Sequence, residues 1–256
     1  MASIKIVTLN INGVTSPTTI AMLDALFRRQ DIDILLVQKV IYYVLNDLQG
    51  YTTQYNIGAN RRGTAIVARD GFNLENIIMS QSGRVMAATF REIWMINVYA
   101  PSGTAMKQEC ERFFNSELSY LLTGETGHIL LGGGFNCILE ASDSTGVFTY
   151  GRAVAELVHG LALTDTWQGN PTRKVYTHNS TSEATRIDLI YATRELLERK
   201  LGVETIVEPF TDHLAVSLRI SIDLQIMRRV RGLWEKSGGD ENFRPSRPDW
   251  GPPSLL

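Results

Sequence analysis

Four short polar clusters in this 256-residue chain carry side chains able to bind and polarise a phosphodiester. The first, Asn10-Ile11-Asn12-Gly13, directly follows an apolar run at residues 4–9. The second is Asn97-Val98-Tyr99-Ala100-Pro101, and the third Gly132-Gly133-Gly134-Phe135-Asn136. The fourth is Thr211-Asp212-His213, with Asp188 inside an earlier apolar run. Amides and a phenol donate hydrogen bonds, carboxylates accept them, and an imidazole changes charge near neutrality. Converging on one edge, such groups stabilise charge on phosphate oxygens. Singly, each cluster is ordinary. An Asn after a strand is usually a turn former, and an Asp-His pair usually lies in a surface loop. Together they all fall at the ends of predicted strands, where α/β folds place their sites.

The elements that must hold these clusters are legible as hydrophobic patterns. Residues 4–9, 32–37, 63–68, 86–90, 94–99, 128–132, 186–191 and 215–220 form short, nearly continuous apolar runs. That pattern suits strands buried on both faces. Between them, Ile20, Leu23, Leu26 and Phe27 recur at helical spacing, with Thr18 or Thr19 available as caps. Phe113, Phe114, Leu118, Leu121 and Leu122 do the same, as do Val154, Leu157, Val158 and Leu161. Thr193 is placed to cap a helix carrying Leu196, Leu197 and Leu201. At least eight strands and four helices, with no fixed-period repeat, predict α/β layers around mixed sheets.

Composition narrows the function classes. Hydrophobic residues make up 44% and charged residues 20%, a globular balance. A net charge of -2 excludes a histone-like binder driven by bulk charge and leaves room for a local basic groove. Cys110 and Cys137 are too few for a disulfide framework or a four-thiolate zinc site and fit a reducing, intracellular compartment. No apolar run approaches the ~18 residues of a membrane span, and residues 1–10 lack the features of a secretory signal.

The order and wording of the clusters resemble the endonuclease/exonuclease/phosphatase superfamily. The resemblance rests on Thr8-Leu9-Asn10-Ile11-Asn12-Gly13, Asn97-Val98-Tyr99-Ala100-Pro101, Leu131-Gly132-Gly133-Gly134-Phe135-Asn136-Cys137, Arg186-Ile187-Asp188 and Thr211-Asp212-His213. Within it, the chain is similar to the apurinic-endonuclease-like domain of insect non-LTR retrotransposons of the R1-like kind. Tyr99-Ala100-Pro101-Ser102-Gly103, Gly160-Leu161-Ala162-Leu163-Thr164-Asp165-Thr166-Trp167 and Phe210-Thr211-Asp212-His213-Leu214-Ala215-Val216 carry the narrower match. The resemblance covers residues 3–222. It implies a four-layered α/β sandwich, two mixed sheets flanked by helices. It also implies a Mg²⁺-dependent hydrolase that nicks double-stranded DNA to prime reverse transcription, with an intracellular, nuclear location.

Site roles follow from the same resemblance. Asn10 helps hold the metal region and the scissile phosphate. Tyr99 donates to a phosphate oxygen, and Asn136 positions the phosphate and the attacking water. His213 stabilises phosphorane charge, oriented by Asp188, and Asp212 lies close to the metal. DNA contacts are implied for Asn12 and for His178 in the loop before Asp188. Arg61 and Arg62, which precede a strand, are candidate phosphate contacts, although solvated loop cations are commoner. His128 and His159 read as structural residues in apolar surroundings.

Two departures from the family pattern are chemical. The family reads Leu-Gln-Glu where this chain reads Val37-Gln38-Lys39, and the missing Glu is the principal metal ligand. Lys39 supplies donors and positive charge where Mg²⁺ requires oxygen acceptors. The family reads Gly-Gly-Asp-Phe-Asn where this chain reads Gly132-Gly133-Gly134-Phe135-Asn136. Gly134 cannot orient or deprotonate a water, a loss that typically costs about 10²–10⁴-fold. The sequence therefore predicts an endonuclease domain, residues 1–222, whose metal binding is weak or absent and whose nicking is very weak or absent, still able to bind DNA. The alternative is a domesticated, non-catalytic protein that uses the fold to bind a protein partner. A basic stretch over 223–236, with Arg228, Arg229, Arg231 and Lys236 around Trp234, reads as a solvated connector, with a nucleic-acid contact as the alternative, and the proline-rich 237–256 as a linker or disordered tail.

Overall fold

The computed structural model describes residues 2–13, 15–41, 45, 48–103, 107–122, 127–146, 150–170, 175–180 and 183–222. The chain divides into a compact unit, Ser3–Ser221, and a second unit of Met1–Ala2 with Ile222–Leu256. In the second, Ala2 and Ile222 are described and are strand-end residues. The expected connector and tail, 223–256, lie outside the described residues.

Two six-stranded mixed sheets form the framework. The first runs in the order β13 (Lys200–Ile206), β14 (Ala215–Ile222), β1 (Ala2–Asn10), β2 (Ile34–Ile41), β4 (Arg62–Arg69), β3 (Tyr51–Ile57). The second runs β5 (Glu75–Met79), β6 (Val85–Phe90), β7 (Ile93–Tyr99), β8 (His128–Gly134), β12 (Asp188–Ala192), β9 (Thr164–Asp165). A small ribbon pairs β10 (His178–Asn179) with β11 (Ala184–Thr185). β1 and β2 are parallel, as are β7 and β8, and the remaining pairs within these sheets that flank the site are antiparallel.

Strand alternation decides what each face meets. Val7, Leu9 and Ile11 point outward from β1 onto Leu23, Leu26 and Phe27 of helix α1 (Pro17–Gln30). Burying Leu26 and Phe27 completely stabilises the fold by about 1.5–3 kcal/mol each. On the second sheet, Trp94, Ile96 and Val98 face Phe113, Phe114 and Leu118, which belong to a helix running from α2 (Lys107–Arg112) through a π-helical stretch (Phe113–Leu118) into α3 (Ser119–Leu122). Ala153 and Val154 of α4 (Arg152–Gly160) join that layer. The inner faces of the sheets pack on each other, giving the four-layered α/β sandwich expected from the sequence.

Helix ends differ from expectation in detail. Ser16, not Thr18 or Thr19, caps α1: its Oγ accepts the Thr19 amide at 3.2 Å, and Pro17 follows at the first helical position. Helix α5 spans Arg194–Glu198 with Thr193 at the N-cap position, but the Thr193 side chain makes no capping bond. Leu201 lies beyond this helix, exposed on β13.

Candidate active site

Register brings the polar clusters together. Tyr99 pairs with Gly134 and Gly134 with Asp188, so these three residues form one row across β7, β8 and β12. Asn10 pairs with Gln38 and Gln38 with Thr64 in the other sheet. At this end of the sandwich opens a cleft of about 330 Å³, lined by Asn10, Asn12, Lys39, Tyr99, Asn136, His178, Asp212 and His213 among others.

Beneath the cleft the two sheets are tied by buried amides. Asn97 Nδ2 donates to Val37 O at 2.9 Å and Ala65 O at 2.8 Å, while Asn97 Oδ1 accepts from Gln38 Nε2 at 2.7 Å. Asn97 thus belongs to the floor of the site rather than to its lining. Two residues further along the same face, Tyr99 reaches the cleft, with the Arg84 guanidinium 5.4 Å over its ring. Burial raises the Tyr99 pKa above the usual phenol value, so the hydroxyl stays a donor at neutral pH.

His213 is held from behind. Its Nδ1 donates to Asp188 Oδ2 at 2.7 Å, and Asp188 is fully buried. This fixes the tautomer and turns Nε2 toward the cleft. Burial alone would lower the His213 pKa, but the Asp188 hydrogen bond and charge, helped by Asp212 and opposed by Lys39, raise it overall. Thr211 Oγ1 donates to Asn10 O at 2.8 Å and accepts the His213 amide at 3.2 Å. Thr177 Oγ1 accepts the amides of Ile187 and Asp188 at 3.1 and 3.0 Å, and its carbonyl accepts Leu214 N at 2.7 Å. Buried Arg186 bonds Asp165 Oδ2 at 2.5 Å and Asp143 Oδ1 at 3.4 Å, anchoring the approach to β12. Thr177, Thr211 and Arg186 are positioning residues that the sequence reading did not assign a role. Thr211 and Arg186 lie within motifs visible in the sequence, but the bonds by which they position other segments are tertiary and carry no local signal.

The third cluster explains its own glycines unequally. Gly133 has φ +148°, and a Cβ there would lie 2.0 Å from Val98 O, so a side chain is excluded. Gly134 is different: its Cβ would meet only Asp188 Oδ1, at 3.4 Å. That oxygen is buried and has no hydrogen-bond partner among the described residues. Asn136 follows with φ +52° and donates from Nδ2 to Ala100 O at 2.6 Å.

Lys39 sits at a β-bulge where the β2–β4 register slips between Gln38 and Val40, and its φ is +56°. Its ammonium hydrogen-bonds Asn12 Oδ1. Asn12 Nδ2 in turn donates to Asp212 Oδ1 at 3.1 Å, and Asn10 Oδ1 accepts the Asn12 amide at 3.0 Å. Asn12 thus stands between the Lys39 ammonium and Asp212. These residues do not fit Mg²⁺ in the family manner. Asn10 Oδ1 and Asn12 Oδ1 each already accept a hydrogen bond, the one on Asn12 from an ammonium, and among the described residues Asp212 is the one carboxylate bonded into this group.

Other residues fall outside this centre. Arg61 and Arg62 lie where the β3–β4 turn enters β4 and do not line the cleft, although the Arg62 charge acts on Tyr99. His159 is exposed on α4, not in apolar surroundings, and His128 Nε2 lies 3.1 Å from Arg199 Nη2. Cys110 and Cys137 are free thiols, and both line the cleft.

No protein-family model matches the chain. The Transposon TX1 uncharacterized 149 kDa protein of Xenopus laevis is 32% identical over 137 residues, 50% of this chain and 10% of that protein. The chain therefore matches about a tenth of that relative's length. Among solved structures, an AP endonuclease from Archaeoglobus fulgidus is similar with a TM-score of 0.75 and 20% identity over 86% of this chain and 100% of the other. The 3' phosphatase NExo from Neisseria, bound to a product DNA hairpin, gives a TM-score of 0.73 and 20% identity over the same shares. The endonuclease domain of TRAS1, a telomere-specific non-LTR retrotransposon, gives 0.62 and 15% over 86% and 98%.

Proposed function

We propose that this chain, which has the endonuclease/exonuclease/phosphatase fold, is a retrotransposon-type endonuclease domain that holds a DNA phosphodiester and cleaves it very weakly or not at all. The observation that supports this reading is the Lys39–Asn12–Asp212 chain of hydrogen bonds, which holds an ammonium at the residue where the resembling family carries a metal-binding Glu. An ammonium attracts phosphate oxygens as a point charge but cannot ionise a water or polarise the phosphorus as a divalent cation does.

The remaining groups suit phosphate binding. Tyr99, Asn136 and Lys39 offer neutral and charged donors toward one cleft, and His213 adds a second positive charge when protonated. The Gly134 row offers no base facing that phosphate: Gly134 has no side chain, burial keeps Tyr99 a neutral phenol, and Asp188 is fully buried with Oδ2 bonded to His213. The DNA-bound neighbour and the transposon relative support DNA as the ligand.

The test pairs binding with cleavage. Salt-dependent binding to duplex DNA, with supercoiled plasmid left un-nicked in Mg²⁺, is the expected result. Saturable binding to a protein, with no affinity for DNA, would favour a domesticated interaction role instead. Robust Mg²⁺-dependent nicking by the unaltered chain would overturn the inactive reading.

A further inference from the structure

One cluster in the cleft has the donor chemistry of a different metal class. His178, Asp212 and His213 each present a ligand atom, and these atoms lie within 4.8 Å of one another. His178 Nε2 is 3.7 Å from Asp212 Oδ2, and His213 Nε2 is 3.9 Å from Asp212 Oδ1. Backbone pairing between His178 and His213 holds the two imidazoles side by side, with ring centroids 4.7 Å apart. We infer that these three residues bind one late-transition divalent cation of the zinc class, through His178 Nε2, His213 Nε2 and a carboxylate oxygen of Asp212.

Three observations carry the assignment. First, two imidazole nitrogens and one carboxylate suit zinc-class ions, whereas Mg²⁺ prefers oxygen throughout. Second, His213 already has the outer partner that metal-bound histidines use: Nδ1 donates to Asp188 Oδ2 at 2.7 Å, which leaves Nε2 as the free lone pair. Asp188 is completely buried and its position is fixed by the Thr177 bonds to its strand. Third, the geometry needs only modest closure. Bonds of about 2.0–2.2 Å bring ligand atoms to roughly 3.3 Å apart in a tetrahedron. Asp212 is half exposed and makes the adjustment by giving up its Oδ1 bond from Asn12 Nδ2, and the Lys39 ammonium is bonded to Asn12 rather than to any of the three ligands. The fourth position opens to the cleft, where water or a phosphate oxygen completes the shell.

This assignment does not depend on the endonuclease reading, and its test does not use cleavage. The full chain, stripped with a chelator, is titrated with Co²⁺ and followed by visible absorption, and Zn²⁺ is then used to displace the Co²⁺. One equivalent of Co²⁺ with tetrahedral d–d bands, displaced by one equivalent of Zn²⁺ and untouched by excess Mg²⁺, is the expected result. His178→Ala and Asp212→Asn should each weaken uptake at least as much as loss of an outer-shell partner does, about 10–100-fold. Circular dichroism checks their folding, and if His178→Ala unfolds, Asp212→Asn at the half-exposed position carries the comparison alone. The Cys110→Ser/Cys137→Ser double variant should bind as the parent does. Absence of saturable uptake overturns the inference. So does uptake insensitive to the folded site variants, or a thiolate-to-cobalt band that disappears in the cysteine variant.

Discussion

Lys39 donates its ammonium hydrogen bond to Asn12 Oδ1, and both residues hold left-handed backbone conformations, φ +56° and +51°. Asn adopts this region readily, whereas an unbranched charged residue such as lysine is seldom found there. The bulge in β2 that turns Lys39 toward Asn12 belongs to the frame around residue 39, because Val40 and Ile41 resume pairing with Gly63 and Arg62. A carboxylate at residue 39 would be carried to the same place. Lys39→Glu should therefore bind Mg²⁺ detectably by titration calorimetry where the parent does not. It should add little nicking, because the Gly134 position still supplies no base.

The Asp188–His213 pair makes a prediction with a definite sign. His213 faces Asp188 from β12, Asp212 from its own loop, Lys39 from β2 and His178 from β10. The folded-state pKa is raised above 6.5, so the stabilisation from the charged pair is complete below 6.5 and disappears as pH rises through the raised value. In chelator-treated protein, NMR of the His213 ring should report a midpoint above 6.5, and Asp188→Asn should lower it. The stability gap between parent and Asp188→Asn in urea should narrow from pH 6 to pH 9. A midpoint at or below 6.5 would contradict the pairing.

Much of the site was readable because its members end strands in a fixed order. Tyr99, Gly134 and Asp188 fall in one row as a consequence of register between runs that are visible in the sequence. What was not readable depends on tertiary geometry. Asn12 as the partner of Lys39 follows from a bulge and a left-handed Lys39, neither of which has a compositional signature here. Asn97 looked like part of the Tyr99 cluster because the two share a strand face, yet the two-residue offset buries it between sheets. The leucine spacing predicts a longer α5 because Leu201 continues it, although the chain has already turned into β13.

Asn97 should prove to be a stability residue. It satisfies Val37 O and Ala65 O and receives Gln38 Nε2, all in the buried layer between the sheets. Removing the amide leaves groups in this layer without a partner, each costing about 1–3 kcal/mol. Asn97→Ala should lose about 2–4 kcal/mol in urea unfolding. A loss under about 0.5 kcal/mol would show that water replaces the amide at little cost.

The strongest prediction for the proposed function is a rescue. Gly134 tolerates a side chain: its backbone is not left-handed, and a Cβ there meets only Asp188 Oδ1, at 3.4 Å. Gly133, one residue earlier, would be blocked by Val98 O at 2.0 Å, and a Cβ at Gly132 would press on Leu36 Cδ1 at 2.8 Å, so the introduced carboxylate belongs at 134. Gly134→Asp alone should restore neither metal binding nor nicking, since residue 39 still supplies an ammonium, bonded to Asn12, and no carboxylate. Combined with Lys39→Glu, it should nick supercoiled DNA in Mg²⁺. The gain should exceed the product of the single changes, because a metal and the group that orients its water act as one unit. Adding His213→Ala to the double variant should remove the activity again, by at least the ~10²–10³-fold typical of losing one group that stabilises transition-state charge. A folded double variant that binds Mg²⁺ but stays inert on varied DNA targets would show that Lys39 and Gly134 do not account for the loss.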